Sequence, residues 1–261
     1  MRNIIQEIQE NLFEIEKTEN VKVLYCVESG SRAWGFPSPD SDYDVRFIYM
    51  HDIGYYLNLE KQKDVIEWKL DDVLDINGWD IQKMLRLLHN SNPTIFEWNA
   101  SPIVYKTSEE WKLVSRIIPD FFSPKSGLYH YLSMAKSNYK AYLIRDKVRI
   151  KKYFYALRPL LACKWILERK SPPPMPFSEL IDHELDENIK PYVLKLLKIK
   201  QSTSELGEGD RIEILNTYIE TQLDELTDAA QNLNIKHDKS WKLLDDVFRN
   251  TLGYKTYLNL P

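Results

Sequence analysis

Several things that this chain has little of narrow its class before any motif is read. Cysteine occurs only twice. Cys26 and Cys163 both sit in apolar runs, so a disulfide framework is excluded and buried free thiols in a reducing cytoplasm are expected. The five histidines are scattered, with no pair at metal-ligand spacing, which argues against a zinc site. No run approaches the roughly 18 consecutive apolar residues of a membrane helix. The segment MRNIIQEIQENLFEIEK places Glu and Gln among its apolar residues, unlike a signal peptide. The expectation is therefore a cytoplasmic protein with no membrane partner. Only 8 glycines, no low-complexity tract and no repeat at solenoid periods exclude a flexible array.

What is present is an ordinary globular composition, 43% hydrophobic and 28% charged over 261 residues. That length holds one large domain or two modest ones. The net charge of −4 is unevenly spread: residues 124–170 carry twelve Lys or Arg against only Asp146 and Glu168. This basic segment of about +10 predicts an electropositive region.

Periodicity divides the chain in two. Ile4, Ile5, Ile8, Leu12 and Ile15 recur at helical spacing, giving a first helix to about Lys17. The run at 21–27 (VKVLYCV) reads as a buried strand. From Asp42 to Met50 the pattern alternates, with Tyr43, Val45, Phe47 and Tyr49 on one face and Asp42, Asp44 and Arg46 on the other. Residues 64–79 read as two strands around a turn near Asp71-Asp72. A helix follows over 81–88, with Asp80 in the N-cap position. The Ser91–Pro93 break stops it, and SPIVYK reads as another strand. Beyond residue 105 the pattern is helical, opening on a Thr107/Glu110 capping box. Further helices fit 126–144, 147–170, 187–199, 209–232 and 239–249. Pro159 is expected to kink or divide the second of these, and residues 171–176 form an extended spacer. The fold class expected is α+β: a mixed-sheet head over residues 1–105, then an all-helical domain over 106–261.

The segment that carries chemistry runs from Gly30-Ser31 to Asp42-Tyr43-Asp44. Two aspartates at i and i+2 of a strand project from one face and repel each other unless a cation lies between them. Carboxylate oxygens without His or Cys nearby suit Mg²⁺ or Mn²⁺. Glycine permits close backbone approach, and Ser31 with the N–H groups of a helix start can hold phosphate oxygens, with Arg32 adding a cation. These are the parts that phosphoryl or nucleotidyl transfer requires. In the basic segment, Lys151, Tyr155 and Arg158 share one helix face, as do Lys152 and Tyr155. Such a face suits a triphosphate or a nucleic acid; its plain alternative is a solvated basic face.

The pattern G-S followed by D-x-D resembles that of DNA polymerase β-like nucleotidyltransferases. More narrowly, the blocks ESGSRAWGFPSPDSDYDVRFIY, DINGWDIQKMLRLLHNSNPTIFEWNASPIVY and KKYFYALRPLLA resemble the YcgL/RlaP-type nucleotidyltransferases, in the same order and over roughly residues 20–180. The resemblance implies a magnesium-dependent enzyme that transfers a nucleoside monophosphate from a nucleoside triphosphate, ATP among the candidates, to an acceptor hydroxyl on RNA or protein, releasing pyrophosphate. It also implies a third metal-binding carboxylate from a neighbouring strand. Asp80 is the first choice and Asp75 the alternative, while a plain helix N-cap is the other reading of Asp80. The catalytic group expected is thus Asp42, Asp44 and Asp80, with Gly30, Ser31, Arg32, Lys151, Lys152, Tyr155 and Arg158 binding nucleotide. The rival reading is a non-catalytic regulatory protein that keeps the fold to bind nucleotide or RNA.

Overall fold

The computed structural model describes residues 3–202, 207–233 and 239–254. The elements run α1 (Ile4–Thr18), β1 (Lys22–Glu28), α2 (Gly30–Ala33), β2 (Tyr43–Met50), α3 (Ile53–Tyr56), β3 (Val65–Leu70), β4 (Leu74–Asp80), α4 (Ile81–His89), α5 (Pro93–Asn99), β5 (Val104–Thr107) and α6 (Glu109–Ile117). After a 3₁₀ turn at Ile118–Phe121 come α7 (Pro124–Tyr142), β6 (Lys147–Arg149), α8 (Lys152–Arg169), α9 (Phe177–Glu184), α10 (Lys190–Ser202), β7 (Glu208–Asp210), α11 (Glu213–Asn232) and α12 (Trp241–Thr251). The fold is α+β, and among the described residues no helix is long and apolar enough to cross a membrane.

The chain forms two compact units. The first holds, among the described residues, 3–30, 42–121 and 239–254. Its sheet has the order β3-β4-β2-β1-β5; β2 and β4 pair in parallel and the other neighbours antiparallel. The helical spacing of α1 presents Ile8, Leu12 and Ile15 to Val23, Cys26, Val45, Phe47 and Tyr49, and these form one apolar core. Ile5, although in phase by sequence, is half exposed. Burying each large apolar side chain contributes on the order of 2 kcal/mol. Gly78 is demanded by this packing, because a Cβ there would lie 2.3 Å from the Phe47 ring.

Local chemistry explains most element ends. Asp80 caps α4 through Gln82 N–H, and Ser91, at φ +55°, turns the chain away. Asn92 then caps α5 with Pro93 at its first position, a helix that the sequence pattern had hidden behind its break. The cap of α6 is Ser108, whose hydroxyl accepts Trp111 N–H at 3.2 Å, one residue after the expected Thr107. Glu110, the expected capping partner, instead pairs with Lys22.

The second unit holds 31–41, 122–202 and 207–233. Helices α7 and α8 pack side by side, with α9 and α11 against α8. Pro159 lies inside α8 without dividing it. The expected helices over 147–170 and 209–232 begin later than their patterns suggest, because 147–149 and 208–210 pair as a short antiparallel ladder, Lys147 opposite Asp210. The division between units also differs from a single cut at residue 105. The loop 31–41 groups with the helices because Phe36 packs on Phe154 and Phe177. Conversely, α12 groups with the sheet: Trp241 stacks on His89 at 3.6 Å, and Phe248 meets the edge of Tyr56.

Candidate active site

The centre of the first unit's polar face lies where β2 and β4 run in parallel register. Asp44 stands opposite Asp75, and Arg46 opposite Asn77. The Arg46 guanidinium bridges the carboxylates, donating from Nη2 to Asp75 Oδ2 at 2.6 Å and to Asp44 Oδ1 at 3.2 Å. Its Nη1 donates to the Val45 and Asp75 carbonyls, so the cation is held by main chain as well as by charge. Asp42 lies just before β2 and is exposed. Tyr43 N–H donates to the Val73 carbonyl at 2.7 Å, which ties the start of β2 to that of β4.

Gly30 completes the arrangement. It sits at φ +59°, and a Cβ there would lie 1.9 Å from Asp44 Oδ2. The Asp44 carboxylate therefore lies over bare backbone, which only glycine leaves open. Behind it, Glu28 is fully buried. Its Oε1 accepts Asp44 N–H at 2.8 Å and its Oε2 accepts the Tyr105 hydroxyl at 2.5 Å. Burial, and then the bond to Glu28, push the Tyr105 phenol above its ordinary range, so it stays a donor. Sequence reasoning passed over Glu28 and Tyr105; the signal available was a glutamate closing an otherwise apolar strand.

Asp80, the first choice for the third carboxylate, is elsewhere. It stands opposite Tyr49 in the register, five residues along β4 from Asp75, or about 16 Å at the strand rise. Its oxygens accept Gln82 N–H at 2.7 Å and the Tyr56 hydroxyl at 2.8 Å. Burial raises its carboxyl from 3.8 to about 6 despite those bonds. Asp80 is a buried helix cap, and the carboxylate beside Asp44 is Asp75. Among the described residues no three His, Cys, Asp or Glu side chains converge tightly enough to hold a metal ion by themselves.

The nucleotide-binding residues expected beyond Gly30 belong to the second unit. Ser31 is half-buried, and its carbonyl accepts Phe36 N–H at 3.1 Å. Arg32 closes the same loop, donating to the Ser41 carbonyl at 2.7 Å. Arg158 is only 3% exposed, stacks over Trp34 and donates to the Met175 carbonyl. It supports the loop instead of facing solvent, on the same Trp34 ring that Tyr155 meets. Tyr155 meets the edge of Trp34, and Lys152 lies 4.0 Å over Tyr142 and 4.6 Å over Tyr155. The excess charge of 124–170 is partly offset by acids from later in the chain: Lys147 pairs with Asp210, Lys164 with Asp186 and Arg169 with Glu184. Lys200, which no motif marked, is buried and donates to the Phe36 carbonyl at 2.8 Å.

Comparison with known proteins gives three findings. Residues 4–250 match the model of RlaP, described as the RNA repair pathway DNA polymerase beta family. A protein of Bacillus subtilis (strain 168), named uncharacterized protein YcgL, is 42% identical over 252 residues, covering 95% of this chain and 96% of that one. A solved nucleotidyltransferase-like protein from Exiguobacterium sibiricum 255-15 is 13% identical, covering 94% of this chain and 78% of that one. The TM-score between the two is 0.33.

Proposed function

This chain belongs to the RlaP, RNA repair pathway DNA polymerase beta family, and on that premise we propose that it transfers a nucleoside monophosphate from a nucleoside triphosphate to an acceptor hydroxyl. The observation that carries the reading is the in-register Asp44/Asp75 pair, with the Asp44 carboxylate laid over Gly30. The donors are hard oxygens and already hold one cation, the Arg46 guanidinium, so their chemistry suits Mg²⁺ or Mn²⁺. Asp42, Asp44 and Asp75 would hold the ion, with substrate phosphates completing its shell, as Mg²⁺ commonly requires. When bound, the ion would neutralise phosphate charge and acidify the attacking hydroxyl.

The chain's own residues supply position and charge. Three carboxylates against one arginine leave a net of about −2, which attracts a divalent cation. Arg46, tethered by two carbonyls, keeps the carboxylates from repelling each other before substrate arrives. Gly30, lacking a side chain, lets the Asp44 carboxylate lie against bare backbone. In the reaction the acceptor oxygen forms a bond to the α-phosphorus, the α–β bridging P–O bond breaks, and pyrophosphate leaves. Asp75 would accept the acceptor's proton.

The test is incubation with each labelled nucleoside triphosphate, with total RNA and with protein as acceptors, comparing wild type with the Asp42→Ala/Asp44→Ala variant. Transfer and pyrophosphate release by wild type alone support the reading. Equal label transfer in both proteins overturns it. Nucleotide-induced stabilisation without any pyrophosphate release also overturns it, in favour of a regulatory binder.

A further inference from the structure

The end of β1 carries a carboxylate that the roles above leave unused. Glu28 has no exposed surface, and burying a carboxylate is unfavourable unless hydrogen bonds compensate it. Here both oxygens are engaged, and what they engage is informative. Oε1 takes Asp44 N–H, in the place where a ladder bond between β1 and β2 would otherwise continue past the Glu28–Val45 pair. Oε2 takes the Tyr105 hydroxyl from β5, the strand on the opposite side of β1. The main chain around Glu28 is equally held: its N–H donates to the Ile103 carbonyl at 3.0 Å and its carbonyl accepts the Ser101 hydroxyl at 2.6 Å. The next residue, Ser29, donates its N–H to the Asp44 carbonyl at 2.8 Å. Both polar groups of the Asp44 main chain are thus gripped from the β1 end, two residues before the glycine over which its side chain lies. An apolar residue would fill the same space more cheaply but would leave Asp44 N–H without this acceptor.

We propose that Glu28 is a positioning residue of the transfer site: braced by Tyr105, its carboxylate holds the Asp44 main chain so that the Asp44 side chain stays over Gly30. The catalytic consequence rests on the function proposed above, whereas the positioning itself does not. Glu28→Gln keeps an oxygen for Asp44 N–H, Glu28→Leu keeps the bulk without an acceptor, and Tyr105→Phe removes the brace.

Three readouts on the full chain separate the possibilities. The first is the exchange rate of the Asp44 amide in ¹H–¹⁵N spectra, with Cys26 as the control for general loosening. The second is Mn²⁺ affinity by electron paramagnetic resonance, and the third is kcat and KM for the triphosphate. Glu28→Leu is expected to speed Asp44 exchange at least tenfold while leaving Cys26 within twofold. It should weaken Mn²⁺ binding and lower kcat by about tenfold each, with KM within twofold. Glu28→Gln is expected to stay within threefold of wild type, and Tyr105→Phe to fall between the two. Folded Glu28→Leu with Asp44 exchange and Mn²⁺ affinity unchanged overturns the proposal, as does parallel loosening of Asp44 and Cys26. If Glu28→Leu does not fold, Tyr105→Phe decides: unchanged Asp44 exchange overturns the proposal, and selective loosening supports it. A wild type without transfer activity whose Asp44 amide still responds selectively overturns the function proposed above and leaves the positioning standing.

Discussion

Two aspartates on one strand separate the chemistry from the scaffold. Asp75→Asn replaces a carboxylate beside Asp44 and Arg46 with a neutral amide of the same size. If Asp75 shares a divalent cation and accepts the acceptor's proton, the loss should be about 10²–10³-fold in kcat, the scale of removing one charge-stabilising group from a preorganised site. Asp80→Asn makes the same chemical change about 16 Å further along β4. Its expected effect on kcat is under about twofold. Its effect on stability has the opposite sign, because Asn is as good a cap as Asp and carries no charge. A carboxyl raised from 3.8 to about 6 holds its ionised form at a cost of roughly 3 kcal/mol at neutral pH. Part of that returns as the new amide rearranges its bond with Tyr56, so a gain on the order of 1 kcal/mol is expected at pH 7.5. The sign follows from linkage. The folded protein binds more protons than the unfolded chain between about pH 4 and 6, so the wild type loses this contribution as pH rises through that window. The advantage of Asp80→Asn should therefore grow from pH 4 to 6 and then level off. Urea unfolding at pH 4.5, 6 and 7.5, with pyrophosphate release at 7.5, measures both effects. Lost transfer in Asp80→Asn with full transfer in Asp75→Asn would refute the assignment.

Three further outcomes follow from packing. Gly30→Ala places a methyl group against Asp44 at a positive φ, and should lower stability by about 1–3 kcal/mol and abolish transfer, read by thermal melting and turnover. Lys200→Met tests a buried ammonium that burial, and then Lys151, lower from 10.5 to about 8. Between pH 8 and 10 the unfolded chain binds a proton that the folded one has released. Wild type should gain on Lys200→Met by about 2 kcal/mol from pH 8 to 9.5, and a flat difference in urea unfolding would contradict this. Arg158→Met removes a side chain that is only 3% exposed, so the melting temperature should fall while KM for the triphosphate stays within about twofold. A tenfold rise in KM in a folded variant would return Arg158 to the nucleotide site.

The sequence by itself determined what is local. The alternation of Val45, Phe47 and Tyr49 makes a strand with Asp44 on its polar side, because side-chain direction in a strand has a period of two. The strands on either side of Asp71-Asp72 and the α4 cap at Asp80 were legible for the same reason, each needing only a few consecutive residues. The tertiary structure alone decided which carboxylate faces Asp44. That depends on the parallel register of β2 with β4, a pairing between segments about thirty residues apart that no short-range pattern encodes. It also decided that Arg158 points inward, that Lys147, Lys164 and Arg169 meet acids from elsewhere in the chain, and that Glu28 reaches Asp44 at all. Periodicity reports which face a residue occupies; only the pairing of distant segments determines what lies across from it.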